Sequence, residues 1–260
     1  MHIVPFISQL PLAQQIDWCA ALNQKLNQKS NLIKVEIASE VSITEAQQCT
    51  CAIVANPNAN QLAHFPKLEW VQSLWAGVDS LVNYLERPTF KIVRLVDPML
   101  AQIMAEAVLT WSLYLHRQIP LYHQQQAEKL WLQHECCTMR ERTVAVLGLG
   151  ELGRQSAELL TRSGFNVVGW SRTLKRVDNV DCYAGEAGFS EVLRLSDIVV
   201  ILLPLTRATK YLFAQAAFSK MKNESALINF ARGQLVNRND LIAALDSGHL
   251  SHAVLDVFEQ

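Results

Sequence analysis

Short apolar runs alternate with amphipathic stretches along the chain. HIVPF (2–6), LIKVEI (32–37), CAIVA (51–55), WVQSLWAG (70–77) and KIVRLV (91–96) are apolar at most positions, as strands covered on both faces are. Helical periodicity separates several of them, for example from Ala13 to Leu26, which supplies the crossovers that parallel strands need. A second series starts at RTVAVLGLG (142–150), passes through a helix from Glu151 to near Arg162, and continues with FNVVGWS (165–171), DIVVILLP (197–204), SALINF (225–230) and HAVLDVF (252–258). This order predicts an α/β chain with parallel sheets, whose ligands lie at the carboxyl ends of the strands. Between the two series, the segment 99–131 places Ile103, Ala107, Leu109, Leu113 and Leu115 on a helix buried over much of its circumference. Pro120 is expected to bend or end that helix. Trp111, Tyr122 and Trp131 in the same segment suit either an ordinary interdomain helix or a subunit contact.

The 260 residues accommodate two domains of moderate size, at about 100–200 residues each. With 50% hydrophobic and 18% charged residues, disorder as the main state is excluded. A net charge of −1, from 23 basic and 24 acidic side chains, leaves no electrostatic footprint for nucleic acid or an anionic membrane. A small-molecule partner is expected instead. No run approaches the roughly 18 apolar residues of a membrane span, and the start MHIVPFISQL lacks a basic leader followed by a long apolar core. A cytoplasmic protein with reduced thiols follows as the expectation. Cys49 and Cys51, or Cys136 and Cys137 with His123 and His134, lack a paired CxxC spacing, so no metal site is expected.

Gly148, Gly150 and Gly153 form GLGELG where an apolar strand turns into a helix. In that context each glycine has its own task. The first permits the tight turn, the second lets a pyrophosphate approach the backbone, and the third lets helix and strand pack closely. A dinucleotide cradle is the reading, with the N–H groups of the helix N-terminus facing the phosphates. About 20 residues on, where units that bind NAD carry an acid for the ribose hydroxyls, the chain reads WSRTLKR. Ser171 stands where the acid would be, and Arg172, Lys175 and Arg176 follow. A 2′-phosphate would be attracted there, so NADP(H) is expected in preference to NAD(H).

GLGELG, WSRT, LLPLTRAT, NFARGQLV and AVLDVFEQ, in this order and spacing, resemble the coenzyme domain of D-isomer-specific 2-hydroxyacid dehydrogenases. SLWAGVD (73–79) resembles that family's substrate loop. The resemblance implies two Rossmann-like parallel-sheet domains: a flavodoxin-like substrate domain over 1–98 and a doubly wound coenzyme domain over 141–260. The segment 99–140 would lie between them as an interdomain or dimer arm. It further implies hydride transfer between NADPH and a small 2-keto acid such as glyoxylate or hydroxypyruvate, in a homodimer joined through 99–131. Arg232 would hold the substrate carboxylate and polarise the keto group. Trp75, Ala76, Gly77 and Val78 would form the substrate loop, offering backbone N–H groups to the same carboxylate. Around the cofactor the resemblance places Gly148, Leu149, Gly150, Glu151, Leu152 and Gly153, then Ser171, Arg172, Thr173 and Lys175. Leu203, Pro204, Leu205, Thr206 and Thr209 would border it, with Phe230 and Ala231, and Asp256 would accept from the nicotinamide carboxamide.

The family's proton donor is a histidine oriented by a glutamate. By the family's spacing both would fall after Gln260, and Glu259 is one position short. The expectation is therefore a chain without the family's C-terminal end: the coenzyme domain incomplete at a further sheet edge, the helix that closes the substrate domain absent, and turnover impaired. His249 and His252 are expected in an exposed turn and are not assigned the catalytic role. Two alternatives stand beside the reductase: a non-catalytic NADP-binding module or scaffold, and a related dehydrogenase for a substrate such as D-lactate, D-glycerate or phosphite.

Overall fold

The computed structural model describes residues 2–85 and 89–259. Met1, residues 86–88 and Gln260, the last residue of the AVLDVFEQ motif, lie outside the described residues. Two compact units, Met1–Val96 and Asp97–Gln260, divide the chain.

In the first unit, β1 (His2–Ser8), α1 (Leu12–Asn27), β2 (Ile33–Ile37), α2 (Ile43–Ala46), β3 (Cys51–Ala55), α3 (Ala59–Ala63), β4 (Trp70–Ser73), α4 (Asp79–Tyr84) and β5 (Lys91–Val93) follow one another. The strands form one parallel sheet in the order β2-β1-β3-β4-β5, the flavodoxin-like arrangement. Both faces of β1 are covered. Phe6 packs with Val35, Ile37 and Cys19, while Ile7 packs with Leu62, Phe65 and Val71, which explains the unbroken apolar runs. Ser42 with Glu45, and Asn58 with Gln61, form reciprocal caps that start α2 and α3. The expected strand 70–77 stops at Ser73 because the Ser73 hydroxyl accepts the N–H of Trp75 at 3.0 Å and turns the chain out of the sheet. β5 is in register with β4 from Lys91 to Val93, short of the expected 96, and beyond it Leu95 N still donates to Trp75 O at 3.1 Å.

The second unit opens with α5 (Pro98–His116), capped by the Asp97 carboxylate accepting from Met99 N. Its buried stripe is Ala101, Ala105, Val108, Ser112 and His116, packed along α7 (below) through small side chains. Of the expected residues, Leu109, Leu113 and Leu115 are half-buried against the same core, whereas Ile103 is 57% exposed. Pro120 does not bend α5, which has already ended at His116. Gln118 takes a positive φ of 53° and Pro120 sits in the first turn of a new helix, α6 (Ile119–Ala127), where its missing N–H costs nothing. Then come β6 (Thr143–Leu147), α7 (Glu151–Ser163), β7 (Asn166–Ser171), β8 (Asp181–Ala184), α8 (Gly185–Leu195), β9 (Ile198–Ile201), α9 (Gln215–Phe218), β10 (Ser225–Asn229), α10 (Arg238–Asp246) and β11 (Leu250–Leu255). β8 was not expected; it is a short, half-buried edge strand without an apolar run.

These six strands are parallel, in the order β11-β10-β9-β6-β7-β8. Counted from β6, this is the full doubly wound order of six, with the direction of winding reversing between β6 and β9. Alternate residues serve two cores. Val144, Val146, Val200 and Ile228 face Val108, Ala157 and Leu160, whereas Ala145, Leu147, Val199 and Leu227 face Phe189, Phe213 and Phe218. Because every strand runs the same way, the ends of β6, β7, β9, β10 and β11 gather along one edge of the sheet.

Candidate functional site

The glycine turn lies at the end of β6. Gly148 has φ +106°, and a Cβ there would stand 2.6 Å from Leu202 O, in the segment leaving β9. The turn is thus lodged at the winding reversal, where an open parallel sheet has its crevice. A Cβ on Gly153 would meet Gly148 O at 1.8 Å, so only glycine lets α7 start this close to the turn. At Gly150, by contrast, a Cβ would meet nothing within 4 Å among the described residues. Gly150 also begins α7 without any side-chain cap, leaving the first N–H groups of that helix for a ligand. Leu149 is buried and packs against Gly169, so its backbone alone can face the cradle. Leu152 is half-buried, and Glu151 is exposed beside Arg154 at 3.6 Å.

At the end of β7, Ser171 is buried and its hydroxyl donates to Thr173 O at 2.8 Å. It braces the turn, and its proton is not available to a phosphate. Arg172, Thr173, Lys175 and Arg176 are exposed beyond it. After β9, Leu203 is buried, Leu205 is half-buried and Pro204 is exposed. The two threonines serve the loop itself: the Thr209 hydroxyl donates to Pro204 O at 2.7 Å and accepts from Thr206 N at 2.8 Å. After β10, Phe230 and Ala231 lead to Arg232, a half-buried residue whose Nη1 donates to Ala231 O at 2.7 Å. Asp256, exposed at the end of β11, donates its N–H to Asn229 O at 3.1 Å. Asn229 itself escaped the sequence reading, since an Asn inside an apolar strand motif carries no chemical signature of its own.

In the first unit, Trp75, Gly77 and Val78 line a cleft of about 310 Å³ together with Gln9, Asn56 and Ser80; Ala76 is half-buried in the same loop. Trp75 meets Trp18 edge to face at 6.4 Å, and its indole N–H is buried without a hydrogen-bond partner among the described residues. Gln9 and Asn56 were missed because they stand on the β1 and β3 exits, which only the sheet order brings beside this loop.

A larger cleft, about 700 Å³, lies at the opposite, amino-terminal edge of the second sheet, lined by His116, His134, Arg142, Asp197 and His252 among others. The glycine turn and Arg232 stand at the other edge of that sheet. His249 follows α10 in the expected turn but is half-buried, with Nε2 2.8 Å from Phe218 O, whereas His252 is a residue of β11 and corrects the expected turn. Cys49 is buried and Cys51 half-buried, and burial raises both thiols above their ordinary range. Cys137 Sγ accepts from Arg142 Nε at 3.2 Å while Cys136 is exposed. Among the described residues no three His, Cys, Asp or Glu side chains gather as a metal site, and no helix is long and apolar enough to cross a membrane.

Residues 109–260 match the model of the NAD-binding domain of D-isomer-specific 2-hydroxyacid dehydrogenases. A glyoxylate/hydroxypyruvate reductase A from Yersinia enterocolitica is 33% identical over 222 residues, covering 83% of this chain and 71% of the relative. A D-isomer-specific 2-hydroxyacid dehydrogenase from Xanthobacter autotrophicus, crystallised with NADPH and MES, superposes with a TM-score of 0.90 at 37% identity, over 100% of this chain and 81% of that one. An NADPH-dependent glyoxylate/hydroxypyruvate reductase from Sinorhizobium meliloti, in complex with NADP and sulfate, gives 0.84 at 28% identity, over 100% and 82%. The glycine turn at the winding reversal, the arginine at the end of β10 and these likenesses converge: the chain belongs to the family of D-isomer-specific 2-hydroxyacid dehydrogenases.

Proposed function

We propose that this chain binds NADPH along the carboxyl edge of the second sheet and takes a small 2-keto acid, glyoxylate or hydroxypyruvate, as its substrate. The observation that carries the reading is the pairing, on that one edge, of an open, uncapped helix start at Gly150 with Arg232 just beyond the end of β10. The residues fit the cofactor. Gly150 and the first turn of α7 receive the pyrophosphate, and Arg172 and Lys175 receive the 2′-phosphate through charge-assisted hydrogen bonds. Leu203, Pro204 and Leu205 border it, and Asp256 accepts from the carboxamide. Bound there, NADPH supplies the hydride for the keto carbon.

Arg232 does the protein's share at the substrate. Its planar, permanently charged guanidinium pairs with the carboxylate and polarises the keto oxygen, where negative charge develops. Within the first unit, the loop Trp75–Val78 borders a cleft near 310 Å³, a volume at the lower end of ligand cavities. For the 260 residues themselves we propose binding with little turnover. His252 lines the amino-edge cleft and His249 is engaged with Phe218 O, so neither gives a proton at the carboxyl edge. The same observation favours a second reading, a nucleotide-binding module without catalysis. We also propose a cytoplasmic homodimer, with Leu130 and Leu132 each 52% exposed and Trp131 98% exposed meeting a second copy.

Titration with NADPH and NADH, followed by glyoxylate-dependent loss of reduced-nicotinamide absorbance, tests these readings. Tighter binding of NADPH supports the cofactor assignment, and equal or tighter NADH binding refutes it. Reduction of glyoxylate or hydroxypyruvate by a chain extended through the family's Glu/His pair supports the reductase. NADPH binding with no 2-keto acid reduced by that longer chain establishes the module.

A further inference from the structure

Asn229 ends β10 and is 1% exposed. A fully buried primary amide is costly unless its donor and acceptor capacity is used, and here the partners identify what it does. Asn229 Oδ1 accepts from Ala231 N at 3.1 Å, and Nδ2 donates to Arg232 O at 3.0 Å. The orientation of the amide admits no flip, since a backbone N–H can only donate and a carbonyl can only accept. The two bonds hold the Phe230–Ala231 peptide by its N–H and the Arg232–Gly233 peptide by its carbonyl, so they bracket Ala231 and Arg232 between them. The same carbonyl also accepts Leu235 N at 3.2 Å, which anchors the turn to the next segment. With the backbone held at both points, the direction in which Arg232 leaves the chain is set. Asn229 is itself rigid: its backbone is in register between Ile201 of β9 and Leu255 of β11, and its carbonyl accepts Asp256 N at 3.1 Å.

We infer that Asn229 is a positioning residue for the substrate carboxylate, acting through the backbone of Arg232 and touching neither substrate nor cofactor. This rests on the reading of Arg232 as the carboxylate anchor. The side-chain bonds are what a substitution removes; the link to Asp256 is a backbone bond that any residue would keep. The amide therefore bears on carboxylate binding through Arg232, while the phosphate cradle at Gly150 and the start of α7 is built without it.

The test is a double-mutant cycle on the 260-residue chain saturated with NADPH, with oxamate as the carboxylate probe and calorimetry as the readout. Asn229→Leu, similar in volume and without polar atoms, is expected to weaken oxamate binding about tenfold while NADPH affinity stays within about twofold. In an Arg232→Ala background the same substitution should weaken oxamate no further, because the two residues act as one unit. A purely structural role would lower the melting temperature and move both ligands together or neither. Asn229→Asp keeps the acceptor, loses the donor and carries the test if the leucine variant fails to fold; its oxamate loss should again vanish in the Arg232→Ala background. Oxamate affinity unchanged in both Asn229 variants, or losses that add fully to that of Arg232→Ala, would overturn the inference. Unchanged affinity in Arg232→Ala alone would instead refute the anchor on which it rests.

Discussion

Two glycines three residues apart should respond in opposite ways to one methyl group. At Gly153 the new Cβ would lie 1.8 Å from Gly148 O and 2.9 Å from Gly148 C. Carbon and carbonyl oxygen ordinarily approach to about 3.3 Å, so α7 and the turn must separate by roughly 1.5 Å. Both contacts are backbone and cannot rotate away. Overpacking of this kind costs about 1–3 kcal/mol, here at the upper end, while alanine returns about 1 kcal/mol of helix propensity. The net loss is about 2 kcal/mol, or a melting temperature lower by about 4–8 °C for a unit of this size. At Gly150 φ is −78° and a Cβ meets nothing within 4 Å among the described residues. Gly150→Ala should cost only about 0.5–1 kcal/mol for a poorer N-cap, yet its methyl occupies the approach of the pyrophosphate. NADPH binding should weaken about 10–100-fold, equivalent to about 1.4–2.8 kcal/mol. Differential scanning calorimetry and a fluorescence titration with NADPH separate the two effects. An undiminished melting temperature in Gly153→Ala would refute the packing argument, and NADPH affinity unchanged within about twofold in Gly150→Ala would refute the cradle.

Other consequences can be measured directly. Replacing Arg172 and Lys175 by serine should weaken NADPH by roughly tenfold, through lost charge-assisted bonds to an exposed phosphate, and leave NADH unchanged in the same titration. Burial, with repulsion from Arg142 and then Arg117, lowers the pKa of His116 below the ordinary imidazole range. The folded state therefore binds fewer protons than the unfolded chain, and stability falls as pH drops below about 6.5 toward the lowered value. Denaturation midpoints of His116→Gln should lose that part of the acid slope, and a slope identical to the parent's would sink the assignment. Trp131→Asp should shift the mass read by light scattering from two chains to one; a mass unaffected by the change would remove 99–131 from the interface.

Much of the architecture was readable in the chain. Strands such as CAIVA and TVAVL announced themselves because parallel strands covered on both faces need apolar side chains at consecutive positions. The expected limits failed where one local bond decides the outcome: the Ser73 hydroxyl ends β4, and Gln118 with its left-handed backbone ends α5 before Pro120 can act. Ile103 departs from the burial expected along α5 for a related reason. The partner of α5 is another helix, which selects Ala101, Ala105 and Ser112 for close approach over the larger Ile103.

The sequence by itself determined the class of fold, the glycine turn, the missing acid after β7 and the arginine after β10, since each is a local pattern whose chemistry is carried by residues close together in the chain. Only the tertiary structure decided what those residues face. It assigned Ser171, Thr206 and Thr209 to bracing their own loops, placed His252 at the far edge of the sheet, and put the buried amide of Asn229 across the backbone of Arg232. The reason is physical: a polar side chain has the same identity whether it meets a ligand or its own backbone, and which hydrogen bond it makes is settled by the packing that brings donors and acceptors within reach.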